Sequence, residues 1–157
     1  MTPAIELLKK RQCPYLVLSY AHDSHQASYG LEAAEQLQLD SKQVFKTLVV
    51  QLEPTELVVA ILPVSHQLDL KQLAKVAGSK KAAMAAPALV ERTTGYVLGG
   101  VSPLGQKKHL RSFIDQSAAA FAEIYVSAGR RGLEIAIAPA RLVELLNATT
   151  AHLTQHP

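Results

Sequence analysis

Val44-Phe45-Lys46-Thr47-Leu48-Val49-Val50 is the stretch on which the reading of this chain turns. It is β-branched and apolar almost throughout and predicts a strand running into a core. Lys46 stands in its middle. Taking an ammonium out of water is costly unless an anion or polar groups compensate, so lysine is seldom buried without a reason. Two readings follow. Either the side chain snorkels from a sheet edge to water, or the strand delivers a cation into a pocket.

Working outward, Glu53-Pro54-Thr55 separates this run from a second β-rich one, so 44–52 and 56–63 predict a hairpin. Upstream, Leu31, Ala34 and Leu37 predict a helix over Gly30 to Leu39, preceded by a polar loop from His22 to Ser28 and a strand from Tyr15 to Tyr20. Thr2 and Pro3 form a helix start, hydroxyl cap followed by proline. Ile5, Leu7 and Leu8 are its expected buried face, and Lys9 to Arg11 suit the negative end of its dipole. Downstream, Asp69 caps a helix over Leu70 to Ala77 that Gly78 ends, and Pro87 opens another running to about Arg92. Residues 121–127 and 133–138 predict two more strands. Pro139 starts a terminal helix with Leu142, Val143, Leu145 and Leu146 buried, and the polar tail after Asn147 is expected to fray. The pattern predicts a mixed α/β fold of six or seven short strands, one domain over 1–157. Its hairpins argue against a purely parallel, doubly wound sheet.

At 157 residues and 48% hydrophobic composition the chain can bury a core and is not disordered. It has no run of about eighteen apolar residues that would span a membrane, and Met1-Thr2-Pro3-Ala4 lacks the pattern of a signal peptide. The single Cys13 excludes an internal disulfide and suits a reducing compartment, so a cytoplasmic protein is expected. The net charge of +3 is mild. Lys9-Lys10-Arg11, Lys80-Lys81, Lys107-Lys108 and Arg130-Arg131 would make a phosphate-binding footprint if gathered on one face, and plain solvated surface otherwise.

Metal chemistry finds little support. His22 and His25, with Asp23 between them, are the closest histidine pair, and no thiol or suitably spaced third histidine accompanies them. Cys13, within Gln12-Cys13-Pro14, has no local histidine to activate it. There is no Gly-x-Ser-x-Gly elbow, Walker motif or Gly-x-Gly-x-x-Gly, and no cofactor is expected. Two loops remain informative. Between Gly95 and Gly105, the consecutive Gly99-Gly100 let the backbone approach a ligand and aim amides at an oxygen. Ser102 adds a hydroxyl there and Pro103 stiffens the exit; an elaborate turn would look the same. Val126-Ser127-Ala128-Gly129-Arg130-Arg131-Gly132 suits either a bound phosphate or a plain hairpin loop.

Three segments together carry a resemblance. They are Phe45-Lys46-Thr47-Leu48, the run from Thr94-Gly95-Tyr96 through Gly99-Gly100-Val101-Ser102-Pro103 to Lys107-Lys108, and Ile124-Tyr125-Val126-Ser127-x-Gly129-x-Arg131-Gly132-Leu133. In this order, and over nearly the whole chain, they resemble the YbaK/EbsC family, most of all its bacterial Cys-tRNA(Pro) deacylases. The resemblance implies a single domain with a mixed, partly closed β-sheet surrounded by helices. It implies trans-editing, in which the ester of cysteine wrongly attached to proline tRNA is hydrolysed. The partners it implies are the acceptor end of mischarged tRNA and prolyl-tRNA synthetase, whose inserted editing domain in many bacteria is a relative that clears alanine.

The resemblance also makes Lys46 the catalytic position and places Tyr20, Tyr29, Thr47, Gly99, Ser127 and Glu134 around the substrate; Gly30, and Gly100, Val101 and Ser102 of the glycine-rich loop, are expected to bind it with them. Tyr29 stands where relatives carry phenylalanine, which adds a hydroxyl. Glu134 stands where aspartate is usual, which lengthens a pocket carboxylate. A route in which the substrate's own thiol attacks its ester is implied as well, with amides near Gly99 to Val101 facing the oxyanion. Two other readings suit the same residues: a non-catalytic module that binds the acceptor end or the synthetase, and a Schiff-base lysine at Lys46 serving a carbonyl cofactor.

Overall fold

The computed structural model describes residues 1–22 and 29–156. Most of the predicted loop over His22 to Ser28, with Asp23 and His25, lies outside the described residues. Among those residues the chain forms five α-helices and eight strands. The helices are α1 (Pro3–Lys10), α2 (Tyr29–Gln36), α3 (Leu70–Ala77), α4 (Pro87–Thr94) and α5 (Pro139–Leu146). The strands are β1 (Leu16–Ser19), β2 (Phe45–Leu52), β3 (Leu57–Pro63), β4 (Ala82–Met84), β5 (Arg111–Asp115), β6 (Ile124–Arg130), β7 (Leu133–Ile137) and β8 (Thr149–Ala151).

The mixed α/β class holds, but the one partly closed sheet expected from the resemblance is two open sheets. Five strands run in the order β4-β2-β3-β5-β8 and three in the order β1-β7-β6. The predicted hairpin is present, with β2 and β3 antiparallel and Lys46 opposite Leu62. β3 also pairs with β5 in parallel, which makes the larger sheet mixed. That sheet is buried on both faces. Phe45, Val49, Val59, Ile61 and Ile114 join Ile124, Val126, Ile135 and Ile137 of the smaller sheet, Leu8 of α1 and Leu142 of α5 in the main core. Val50, Leu52, Val58, Ala60, Leu62 and Phe113 pack under Leu73 of α3 on the other side. Burial on two faces is why β3 reads as an unbroken apolar run and not as an alternation.

Local start and stop signals are confirmed. Thr2 accepts a hydrogen bond from Ile5 N, Asp69 accepts one from Gln72 N, and Gly78 ends α3 in the left-handed region at φ 78°. Four expectations are corrected. α2 buries Glu32, Ala33 and Ala34, while Leu31 is exposed. β4 and β5 fall in segments without a strand signal: β4 is three residues of an alanine-rich run, and β5 is five residues following Lys107-Lys108-His109. In α5 Leu142 and Leu146 are buried, with Val143 and Leu145 only partly so. The tail does not fray: β8 adds to β5 in parallel and Leu153 is fully buried, its amide bonded to the Asp115 carboxylate at 2.8 Å.

Candidate active site

The two sheets meet at one point and then part. Val44 forms an isolated parallel bridge with Tyr125, and Tyr125 N donates to Gln43 O at 3.1 Å. Beyond the bridge β2 is paired on its outer side with a strand only from Val50, which stands opposite Met84 at the end of β4. A cavity of about 410 Å³ opens beside the unpaired first half of β2, lined by Tyr20, Tyr29, Gly30, Phe45, Lys46, Thr47, Leu48, Leu98, Gly99, Val101, Ser127 and Glu134. Lys46 is thus neither a core residue nor a snorkelling edge residue. It is half-buried in this cavity, and burial alone lowers its pKa. Among the described residues no carboxylate pairs with it.

Nine of the eleven residues singled out in the sequence line this cavity. Gly100 and Ser102 do not. The Gly100 amide closes a turn onto Val97 O at 2.9 Å, and a Cβ on Gly100 would stand 2.9 Å from backbone atoms of Arg130 and Arg131. Gly100 therefore lets the glycine-rich loop press against the β6–β7 turn. Ser102 is fully buried and accepts a bond from Leu104 N at 3.2 Å, a role internal to the loop. The loop is anchored further by the Tyr96 hydroxyl, which donates to Leu104 O at 2.7 Å, and by Gly105, whose α-carbon packs on the backbone of Pro3. The amides of Gly99 and Val101 have no partner among the described residues. Cys13 lies elsewhere, in a separate hollow with Arg11, Arg141 and Glu144. Phe45, Leu48 and Leu98 also line the wall and were not singled out: the first two read as core residues of a strand, and Leu98 is an apolar residue of the glycine-rich loop.

Residues 24–145 match the aminoacyl-tRNA editing domain. This chain belongs to that family. The chain is 37% identical over 153 residues to a protein of Enterococcus faecalis, EbsC, whose name proposes a Cys-tRNA(Pro)/Cys-tRNA(Cys) deacylase; the match covers 98% of this chain and 93% of that protein. Among solved structures, a hypothetical protein superposes with a TM-score of 0.86 at 23% identity, covering 98% of this chain and 100% of the other. A second, described as a proposed trans-editing enzyme for prolyl-tRNA synthetase, superposes with a TM-score of 0.82 at 22% identity and 99% coverage of both chains. At these identities the two structures speak for the fold.

Within the editing domain, Ser127 and Glu134 face each other across β6 and β7. The Glu134 side chain is 6% exposed and has no hydrogen-bond partner among the described residues; burial pushes its carboxyl up to about 8. The Tyr20 phenol is raised as well, by burial first and by Glu134 second. The site therefore holds a protonated carboxyl at neutral pH, able to donate a hydrogen bond. Ser127 Oγ accepts from Gly129 N at 3.1 Å, and Thr47 Oγ1 is buried without a partner.

Glu134 gives the stability a defined pH dependence. Its folded pKa lies above the unfolded value, so the folded chain holds a proton that the unfolded chain has lost between pH 4.5 and about 8. The contribution is complete below pH 4.5 and is lost as pH rises through 8, a decline on the order of a few kcal/mol. Unfolding by urea across pH 5 to 9 is expected to show this fall in wild type and a flatter profile in Glu134→Gln. Parallel profiles for the two proteins would remove the assignment.

Proposed function

We propose that this editing domain deacylates tRNA mischarged with cysteine, Cys-tRNA(Pro) above all, acting in trans on the acceptor end in the cytoplasm alongside prolyl-tRNA synthetase. The observation that carries the reading is Lys46: among the described residues its ammonium has no counter-charge, and it is held in a small cavity whose described lining includes no cysteine and no histidine. An anionic or carbonyl-bearing ligand supplies what that ammonium lacks. That the described lining offers no thiol or imidazole supports chemistry brought in by the substrate.

In that chemistry the cysteinyl thiol loses its proton and the sulfur attacks the ester carbonyl carbon. The bond to the ribose oxygen breaks, that oxygen takes up a proton, and the tRNA leaves. The cysteine thiolactone that remains is opened by water, so the net reaction is hydrolysis. The protein's part is to hold the thiol near the carbonyl and to stabilise the developing oxyanion. Lys46 serves either the ester oxygen or the adjoining ribose-phosphate. The unpartnered amides of Gly99 and Val101 are the donors available to the oxyanion. Thr47, Ser127, Tyr20 and the protonated Glu134 offer polar contacts to the substrate's amino-acid moiety, with Gly30 and Tyr29 closing the wall.

The test is deacylation of Cys-, Ala- and Pro-tRNA(Pro) by the purified protein. Cys-tRNA(Pro) is expected to turn over fastest and Pro-tRNA(Pro) to be spared. Tight binding of the charged tRNAs without turnover would replace this reading by that of a binding module.

A further inference from the structure

Tyr29 lies at the mouth of the cavity and is 43% exposed, so its ring has room to leave. Two contacts hold it. The Arg131 guanidinium sits over one face, 4.4 Å from the ring centroid. Gly99 also lies against the ring: an added Cβ there would stand 3.1 Å from three ring carbons, so the glycine allows a closer contact than a side chain would. Arg131 is itself fixed: its Nε donates to Glu32 Oε1 at 3.1 Å, and the Glu32 side chain is 0% exposed. Glu32 stands three residues after Tyr29 on α2, so one helix presents both the ring and the carboxylate that anchors the cation covering it.

A fully buried carboxylate is tolerated only when well paired. The planar guanidinium serves both contacts at once, which an ammonium does not. The neighbouring Arg130, by contrast, is exposed. The Arg130-Arg131 pair, which the sequence offered as a phosphate site, therefore divides into a solvated cation and a structural one.

We propose that Glu32 and Arg131 are positioning residues that hold the Tyr29 ring as a fixed wall of the pocket and so set the size of aminoacyl side chain admitted, favouring unbranched cysteine over bulkier thiol-bearing esters. The proposal rests on the editing reading above. Without Arg131 the ring is free to rotate outward. The cavity then opens toward a second hollow of about 540 Å³, which shares Leu98 with it and is lined by Gly100, Arg130 and Arg131.

The probe is the same tRNA charged with cysteine or with β,β-dimethylcysteine, which keeps the thiol and adds two methyl groups at the carbon that bears it. In Arg131→Ala and in Tyr29→Ala the cysteine-over-dimethylcysteine ratio of kcat/KM is expected to fall about tenfold, the scale of methyl-group discrimination by a fixed pocket wall. The double variant should fall no further than either single one. Tyr29→Phe should keep the ratio, and Arg131→Lys should not restore it. Losses equal for both substrates, or additive in the double variant, would mark a merely structural role and overturn the proposal. A crystal structure of Arg131→Ala with the Tyr29 ring still against Gly99 would overturn it whatever the activity. A wild-type protein that deacylates neither substrate would sink the editing reading instead, leaving the crystal structure to judge the clasp.

Discussion

Lys46→Ala is expected to lower kcat/KM for Cys-tRNA(Pro) deacylation by about 10²–10³, the usual effect of deleting one group that stabilises charge developing in a water-poor site. The fold should not suffer. Lys46 has no ion pair among the described residues, and its half-buried ammonium is a desolvation cost that alanine removes, so the thermal midpoint should hold or rise slightly. The surrounding strand is secured by its neighbours, Phe45 and Val49 in the main core and a continuous ladder to β3. Measuring kcat/KM and the unfolding midpoint on the same preparation separates the two effects. A folded variant with normal turnover would remove Lys46 from the reaction.

Replacing the cysteinyl group by a seryl group on the same tRNA is expected to slow deacylation by about 10²-fold or more. The two side chains differ by one atom, sulfur being the larger, so the cavity admits the seryl group and shape alone does not exclude it. Chemistry discriminates strongly. A few per cent of a thiol is ionised at neutral pH and the thiolate is a potent nucleophile, whereas a hydroxyl needs an activating base. A nucleophile built into the substrate also carries a high effective molarity once the pocket folds it toward the ester. Single-turnover rates at saturating protein make the comparison independent of binding. Equal rates would end the case for substrate assistance and direct attention to a water activated within the cavity.

Much of the fold was legible because its signals are short-range. Thr2-Pro3 and Asp69 satisfy helix amides within one turn, Gly78 supplies a left-handed backbone, and Glu53-Pro54-Thr55 sits between two β-rich runs. β4, β5 and β8 were not legible. They are three to five residues long, and each owes its conformation to a partner strand distant in sequence, such as β3 for β5 and β5 for β8. α2 misled because its buried face includes a glutamate: Glu32 is inside on account of Arg131, ninety-nine residues away.

The site divides in the same way. The sequence by itself determined the types of group present: a lysine in an apolar strand, a glycine-rich loop and a hydroxyl ahead of a basic turn, in an order that resembles a known family. Those features depend on residue identity and local spacing. Only the tertiary structure decided that Lys46 faces a cavity where two sheets part, that Gly99 and Val101 belong to it while Gly100 and Ser102 serve the loop, that Glu134 keeps its proton, and that Arg131 clasps Tyr29. Each of these depends on what stands opposite a side chain and how much water is left beside it, and desolvation and pairing are set by long-range contacts that no local pattern contains.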